Sequence, residues 1–334
     1  MIAETTKEKI MRKLALPMVA IGLAVAPLLS AAPARAVSLN HTWVASAASG
    51  GSDANNCDRP TPCATFTVAY SKTAVGGEIA CVDAGNFGGV SITHSITITC
   101  ETVGSSTAPG GAGSGSISIN TATTDVVILS GLDLDGLNID CMCPGAINFT
   151  GAGALHLSNS KIKNWPNATS AIAFNPTGAA KLIVDMVSLI NNGSSGVNGG
   201  IVIKPGSGVH ADVSILGVLV DANFFGIIAI GSSGGIIRGV VRSSVITGNV
   251  NFGIGISTGS ESVVLLVDGD AITNNSYGLV AVGAGAGFAV GKSNIMFNTT
   301  GVYSAAGAVI GSYKSNNLSA NNTDGAFTVI APLQ

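Results

Sequence analysis

The chain has 334 residues with a formal charge of -3, only 10 % charged side chains and 45 glycines. That balance leaves no basic footprint for nucleic acid. Downstream of the N-terminal segment the apolar runs are strand-length and broken by Gly every few residues, so no transmembrane helix is predicted.

Lys7, Lys9, Arg12 and Lys13 form a basic region, and Leu14–Ser30 an apolar one interrupted by Pro17 and Pro27. Ala34-Arg35-Ala36 comes next as a cleavage signal. This pattern predicts a signal peptide over residues 1–36 and a mature chain from Val37, secreted or periplasmic. An uncleaved anchor is disfavoured by the prolines and by a span short of the ~20 apolar residues that a crossing needs. All six cysteines lie after the cleavage site, as suits an oxidising compartment. Cys57 and Cys63 close a short loop and are expected to form a disulfide. Cys81 and Cys100 point inward from neighbouring strands, as a bridge or as two buried thiols. Cys141 and Cys143, one residue apart, lie near the upper limit for bridging in an extended strand. No His stands at zinc spacing from them.

Residues 37–76 are expected to carry a short strand at Thr42-Trp43-Val44, the disulfide loop, and an amphipathic helix over Ala64–Ala74. In that helix Phe66, Ala69, Tyr70 and Thr73 share a face, with Thr61-Pro62 as the start and Gly76-Gly77 as the stop. The helix would cover the open end of the coils that begin at residue 77, because a bare first coil exposes its core and unpaired backbone groups.

From residue 77 to the end the chain reads as repeats. Gly77–Val82, Gly89–Ile92 and Ser95–Cys100 make three short strands, read as one triangular coil. The segment GGEIACVDAGNFGGVSITHSITITC resembles the opening coil of right-handed parallel β-helix proteins of the pectin-lyase-like superfamily, in particular exported bacterial members. The resemblance implies an all-β right-handed parallel β-helix with an N-terminal capping helix. Further on, an aliphatic–x–x–Asn phrase recurs at Leu189/Asn192, Val220/Asn223, Ile246/Asn249, Ile272/Asn275, Ile295/Asn298 and Leu318/Asn321. The asparagines are 31, 26, 26, 23 and 23 residues apart, a solenoid period. A buried turn Asn can bond its equivalents above and below and can adopt the left-handed conformation of a tight corner. Sequons such as Asn274-Asn275-Ser276 and Asn298-Thr299-Thr300 are expected by-products of that column.

After a Gly/Ser-rich insertion at Gly104–Gly115, inward positions of the first strand of each coil are assigned to Ile117, Ile147, Ile172, Ile201, Ile228, Ile254, Val280 and Val302. A second inward column is assigned to Leu157, Val184, Ile215, Val241, Val267, Val290 and Tyr313. In the final coil, Ala326–Pro332, either Pro332 and the Asn322–Asp324 turn blunt the end or a second copy of the chain covers it.

In enzymes of the resembling superfamily the sugar groove lies along one sheet and is lined by acids, with Arg, Lys or His beside them. Here the outward first-strand column reads Ser118, Asn148, Ala173, Val202, Ala229, Gly255, Ala281 and Tyr303, without acid or base. On the second strand the column Ser158, Asp185, Leu216, Arg242, Asp268, Gly291 and Lys314 sets Arg242 beside Asp268. Asp268, Asp270 and Arg242 are either an acid/base constellation, the two carboxylates sharing a face, or an exposed ion pair of little energy. Asp133 and Asp135, with Asp140, are either solvated turn carboxylates or a Ca²⁺ site. His156 with Lys161, Lys163 and Trp165 suits a sugar or polyanion, or is a surface turn under an aromatic. The other histidines, His41, His94 and His210, lie scattered. Phe225, Phe252 and Tyr277 precede the coil-starting Gly on three consecutive coils, as a structural ladder or a platform for sugar rings. The reading that results is a non-catalytic exported scaffold binding polysaccharide or cell-envelope material. The alternatives are a lyase or hydrolase acting on acidic polysaccharide through the Asp268, Asp270, Arg242 set or the Asp133/Asp135 pair, and a surface adhesin. No cofactor other than Ca²⁺ is suggested.

Overall fold

In every coil the chain must place an aliphatic inward at each side of a narrow core, and it does so by stacking short parallel strands directly over one another. The computed structural model describes residues 38–101, 103, 105–107, 117–138, 144–165 and 170–330. The expected signal peptide, most of the Gly/Ser-rich insertion, Asp140, Cys141, Cys143 and Pro332 lie outside the described residues. Ser38–Gln334 forms one unit. Among the described residues three all-parallel sheets run through it, of nine, twelve and nine strands, making a β-solenoid. In each regular coil the chain crosses sheet 1 (for example Phe225–Ile230), then sheet 2 (Ile236–Arg242), then a three-residue strand of sheet 3 (Val245–Thr247). An α-helix, Phe66–Lys72, precedes the coils. No helix among the described residues is long and apolar enough to cross a membrane.

The helix buries Phe66 and Ala69, and Phe66 meets Phe87 edge-on at 5.4 Å. Its cap is Thr65, which accepts the Val68 N–H, and not Thr61. Thr61 is held in a turn by Asp58, and the Cys63 N–H is bonded to Trp43 O. Nor do Gly76 and Gly77 stop it: Thr73 is already extended, and Thr73–Cys81 is a strand. Leu39–Val44 pairs parallel with that strand and forms one edge of sheet 2.

The first three strands do not close a triangle. Thr73–Cys81 and Ile96–Thr99 are neighbours in sheet 2, with Val90–Ile92 alone in sheet 1 between them. Ala80 stands opposite Thr99, so Cys81 faces Cys100 one position on, and the two are disulfide-bonded with Cα atoms 4.9 Å apart. Cys57 and Cys63 are also bonded, at 4.7 Å.

The inward columns need three corrections. Strand pairing stacks Ile201, Ile227, Ile254, Leu279 and Val302, so Ile227 and Leu279 point inward and Ile228 and Val280 outward. Ser312 and not Tyr313 continues the second column below Val290. Gly-Ile-Ile-Ala and Gly-Leu-Val-Ala each offer adjacent aliphatics, and a slip of one residue exchanges the faces. Pairing with the neighbouring coils decides the register.

The asparagine column is a directional ladder. Asn223 donates its backbone N–H (3.1 Å) and its Nδ2–H (3.2 Å) to Asn249 Oδ1, and Nδ2 also donates to Leu189 O (2.9 Å). The pattern repeats from Asn192 to Asn321, whose two donors end on Asp324 Oδ1. The ladder residues are not themselves left-handed. That conformation belongs to the residue before each: Asn191, Ala222, Gly248, Asn274, Phe297 and Ala320, with φ between 56 and 65°. The corner is turned there, and the next side chain is thereby aimed into the stack.

No helix closes the far end of the described residues. The Asn322–Asp324 turn lies along the last strand of sheet 1, Thr300–Ala305, where Gly301 N–H donates to Thr323 O and Val302 N–H to Asp324 O. Phe327 packs, half-buried, on the end of the core.

Removing one rung should be costly. Asn249→Ala orphans the Asn223 amide donors and the Val220 carbonyl, so we expect the unfolding free energy to fall by about 2–4 kcal/mol. Denaturant titration checks this; a loss below about 1 kcal/mol would mean that the ladder is dispensable.

Candidate functional site

The outward face of sheet 1 is set by the corrected register. Its central column reads Ser91, Ser118, Asn148, Ala173, Val202, Ile228, Gly255, Val280 and Tyr303. It holds no acid and no base, as the sequence suggested, but it is more apolar than predicted. Val202, Ile228 and Ile230 form a second hydrophobic cluster apart from the main core, each only 6 to 8 % exposed, and Phe252 packs against it. These side chains floor a groove of about 390 Å³ whose rim carries Asn175, Asn198, Lys204, Ser232 and Ser257. That size is in the range of small-ligand sites.

The aromatic column borders this face. Phe225 and Phe252 lie against each other, tilted by 32° with centroids 4.3 Å apart, and Phe224 meets Phe225 edge-on at 4.9 Å. The Phe252 ring folds over Gly255, where any Cβ would collide with it. Tyr277 pairs edge-on with Tyr303 at 5.9 Å, and both are exposed. The two phenylalanines therefore lie against each other, and Phe252 also against the aliphatic floor, while Tyr277 remains open to a ligand. Trp165 is not available: it is fully buried at the start of the asparagine ladder, donating its N–H to Asn192 Oδ1 (3.4 Å) and its indole N–H to Leu134 O (3.3 Å).

The charged candidates lie elsewhere and do not come together as a site. Arg242 and Asp268 stand in register on sheet 2, Nε to Oδ2 3.1 Å, with the arginine half exposed. Asp270 does not share their face. Gly269 between the two carboxylates has φ 75°, which turns Asp270 into the corner, where it is 1 % exposed. There it belongs to a second ladder that the sequence reading missed. Ser244 N–H donates to Asp270 Oδ1 (2.7 Å), Asp270 N–H to Ser293 Oγ (3.2 Å), and Ser293 N–H to Asn316 Oδ1 (3.0 Å). The available signal was Ser244, Asp270 and Ser293, each two positions past the end of a sheet 2 strand.

Lys161 and Lys163 share the outer face of sheet 3, but Lys163 is taken up by Asp133 (3.3 Å) and Asp135 (3.5 Å). Its ammonium is the cation between those carboxylates. Among the described residues no three His, Cys, Asp or Glu side chains gather as metal ligands. His156 projects from sheet 2 between Ile128 and Ile183, away from the two lysines, and its pKa is lowered by burial and by Lys181. His41 stacks on Trp43 and His94 on Tyr70, while His210 is exposed.

Comparison with protein families, with curated proteins and with solved structures gives no match for this chain.

Burial raises the Asp270 pKa to about 7, against the opposing pull of the Ser244 N–H, and the Asp268 charge adds to the rise. The folded state therefore keeps a proton that the unfolded chain releases above its ordinary value of 3.8. The contribution is complete below about pH 4 and is lost as pH rises through 7. Thermal melts of the wild type should fall between about pH 4 and pH 7, and Asp270→Asn should remove most of that fall. Asn is already accommodated in this ladder: Asn316 accepts from Ser293 N–H and donates Nδ2–H to Val290 O (2.7 Å). Arg242→Ala, by contrast, should shift stability by no more than ~1 kcal/mol. Equal pH slopes in wild type and Asp270→Asn would refute the assignment.

Proposed function

We propose that the chain is an exported, non-catalytic scaffold, a right-handed parallel β-helix of the pectin-lyase-like kind, that binds polysaccharide or cell-envelope material along the outer face of sheet 1. The observation that carries this reading is the uncharged, aliphatic-floored column from Ser91 to Tyr303, with a groove over Val202 and Ile228. Acid/base chemistry on a glycosidic bond needs paired carboxylates at the substrate. Here Asp268 and Asp270 are divided between a surface ion pair and a buried ladder, and Asp133 and Asp135 lie on sheet 3, both paired with Lys163. Export is supported by the basic, apolar and A-x-A order of the first 36 residues and by two disulfides. A rigid solenoid offers what such a scaffold requires, a face whose side chains repeat at about 4.8 Å along the stack.

The test is an array of neutral and acidic polysaccharides and envelope extracts probed with purified Val37–Gln334, reading retention together with new reducing or unsaturated ends. Retention without new ends, reduced by Ile228→Asn, is the expected result. New ends that disappear in Asp268→Asn/Asp270→Asn would establish an enzyme and overturn the proposal.

A further inference from the structure

The groove on sheet 1 has a more specific character than a general binding face. Its floor is aliphatic: Ala173, Val202, Ile228 and Ile230 line it, and no carboxylate is among the described lining residues. The polar groups, Asn175, Asn198, Ser232 and Ser257, sit at the rim where strands enter and leave the sheet. Saccharide sites draw on open aromatic faces and convergent hydrogen-bonding groups. No ring is among the described lining residues; Phe225 and Phe252 lie tilted against each other beside it, and Phe252 packs on the aliphatic cluster. What the floor offers is contact with hydrocarbon.

Among its described lining residues the groove also has one charge. Lys204 comes directly after the strand Gly199–Ile203 and stands exposed on the rim. Its backbone N–H is bonded to Phe174 O, while among the described residues its ammonium has no ion pair or hydrogen bond. Elsewhere Lys163 is paired with Asp133 and Asp135, and Arg242 with Asp268. A lone cation at the edge of an aliphatic trough is complementary to one kind of molecule.

We propose that the groove binds a single-chain anionic amphiphile, its acyl chain laid over Val202, Ile228 and Ile230 and its carboxylate beside Lys204. This rests on the reading of the sheet 1 face as the binding surface and names the class of envelope-derived ligand that it takes. The volume of about 390 Å³ accommodates one chain, which favours the free fatty acid over a two-chain membrane lipid.

Isothermal titration of the mature chain with laurate, dodecyl maltoside and cellohexaose separates the possibilities. Laurate is expected to bind one-to-one. Ile228→Asn should weaken it about 10-fold by replacing an apolar floor residue, with a thermal melt of the variant alongside to show that it folds. Lys204→Glu should weaken laurate about 5-fold or more while leaving dodecyl maltoside unchanged. Equal affinity for dodecyl maltoside and laurate, with no effect of Lys204→Glu, would overturn the inference. Cellohexaose binding that is sensitive to Ile228→Asn, with no laurate binding, would also overturn it, while upholding the sheet 1 face as a saccharide surface. If neither ligand binds but the protein is retained on anionic phospholipid vesicles, the single-chain assignment falls. If nothing binds and no array component is retained, the functional reading falls with it.

Discussion

Everything in this fold depends on closing each corner over the previous one without leaving buried amides unpaired. A parallel stack satisfies its strands by pairing coil to coil, but its corners have backbone donors that no ladder of strands reaches. The asparagine column supplies the missing acceptors. Each Oδ1 takes both donors of the Asn in the preceding coil, so the side-chain amides all point the same way and polarise one another. Such a directional row has two unlike ends, and the chain treats them differently. The donor end meets the Asp324 carboxylate, an acceptor that needs no further partner. The acceptor end at Asn192 meets the Trp165 backbone, whose indole fills the volume where another Asn would begin a further rung.

The second corner solves the same problem with a mixed set of residues. Ser244, Asp270, Ser293 and Asn316 each present an oxygen to an N–H of the coil before. Serine and asparagine do this at no electrostatic cost. Aspartate brings a second oxygen, Oδ2, that is buried without a partner, and the fold answers by keeping it protonated near neutral pH. A carboxyl with a perturbed pKa is often read as catalytic. In this position it is a structural substitution for Asn or Ser, and the perturbation measures a mismatch in the ladder.

The three faces divide the surface chemistry among them. Sheet 2 carries the Arg242–Asp268 pair, and sheet 3 the Lys163 cluster with Asp133 and Asp135. Sheet 1 carries aliphatics and rings with, among the described residues of its groove, one unpaired lysine. Because coils stack in register, a feature on one coil lies directly over its counterpart on the next, and a face gains its character from a column rather than from a motif. Binding function in such a molecule is a property of that column.

Sequence alone determined the solenoid, the asparagine column, the first disulfide and the helix face of Phe66 and Ala69, because each arises from periodicity or from a short local spacing. It also determined that the first-strand outward column lacks acids and bases, a conclusion that survived the register corrections because neither Ile228 nor Val280 is charged. Tertiary structure decided the rest. Whether Ile227 or Ile228 points inward depends on the pairing with Ile201 and Ile254 on other coils, which no local pattern contains. The separation of Asp268 from Asp270 depends on the left-handed Gly269 between them, so that two carboxylates read as neighbours on a strand end on opposite sides of a corner. Trp165 looked like a ligand contact and proved to be the buried start of a hydrogen-bonded row, because burial is set by what the next coil places over it.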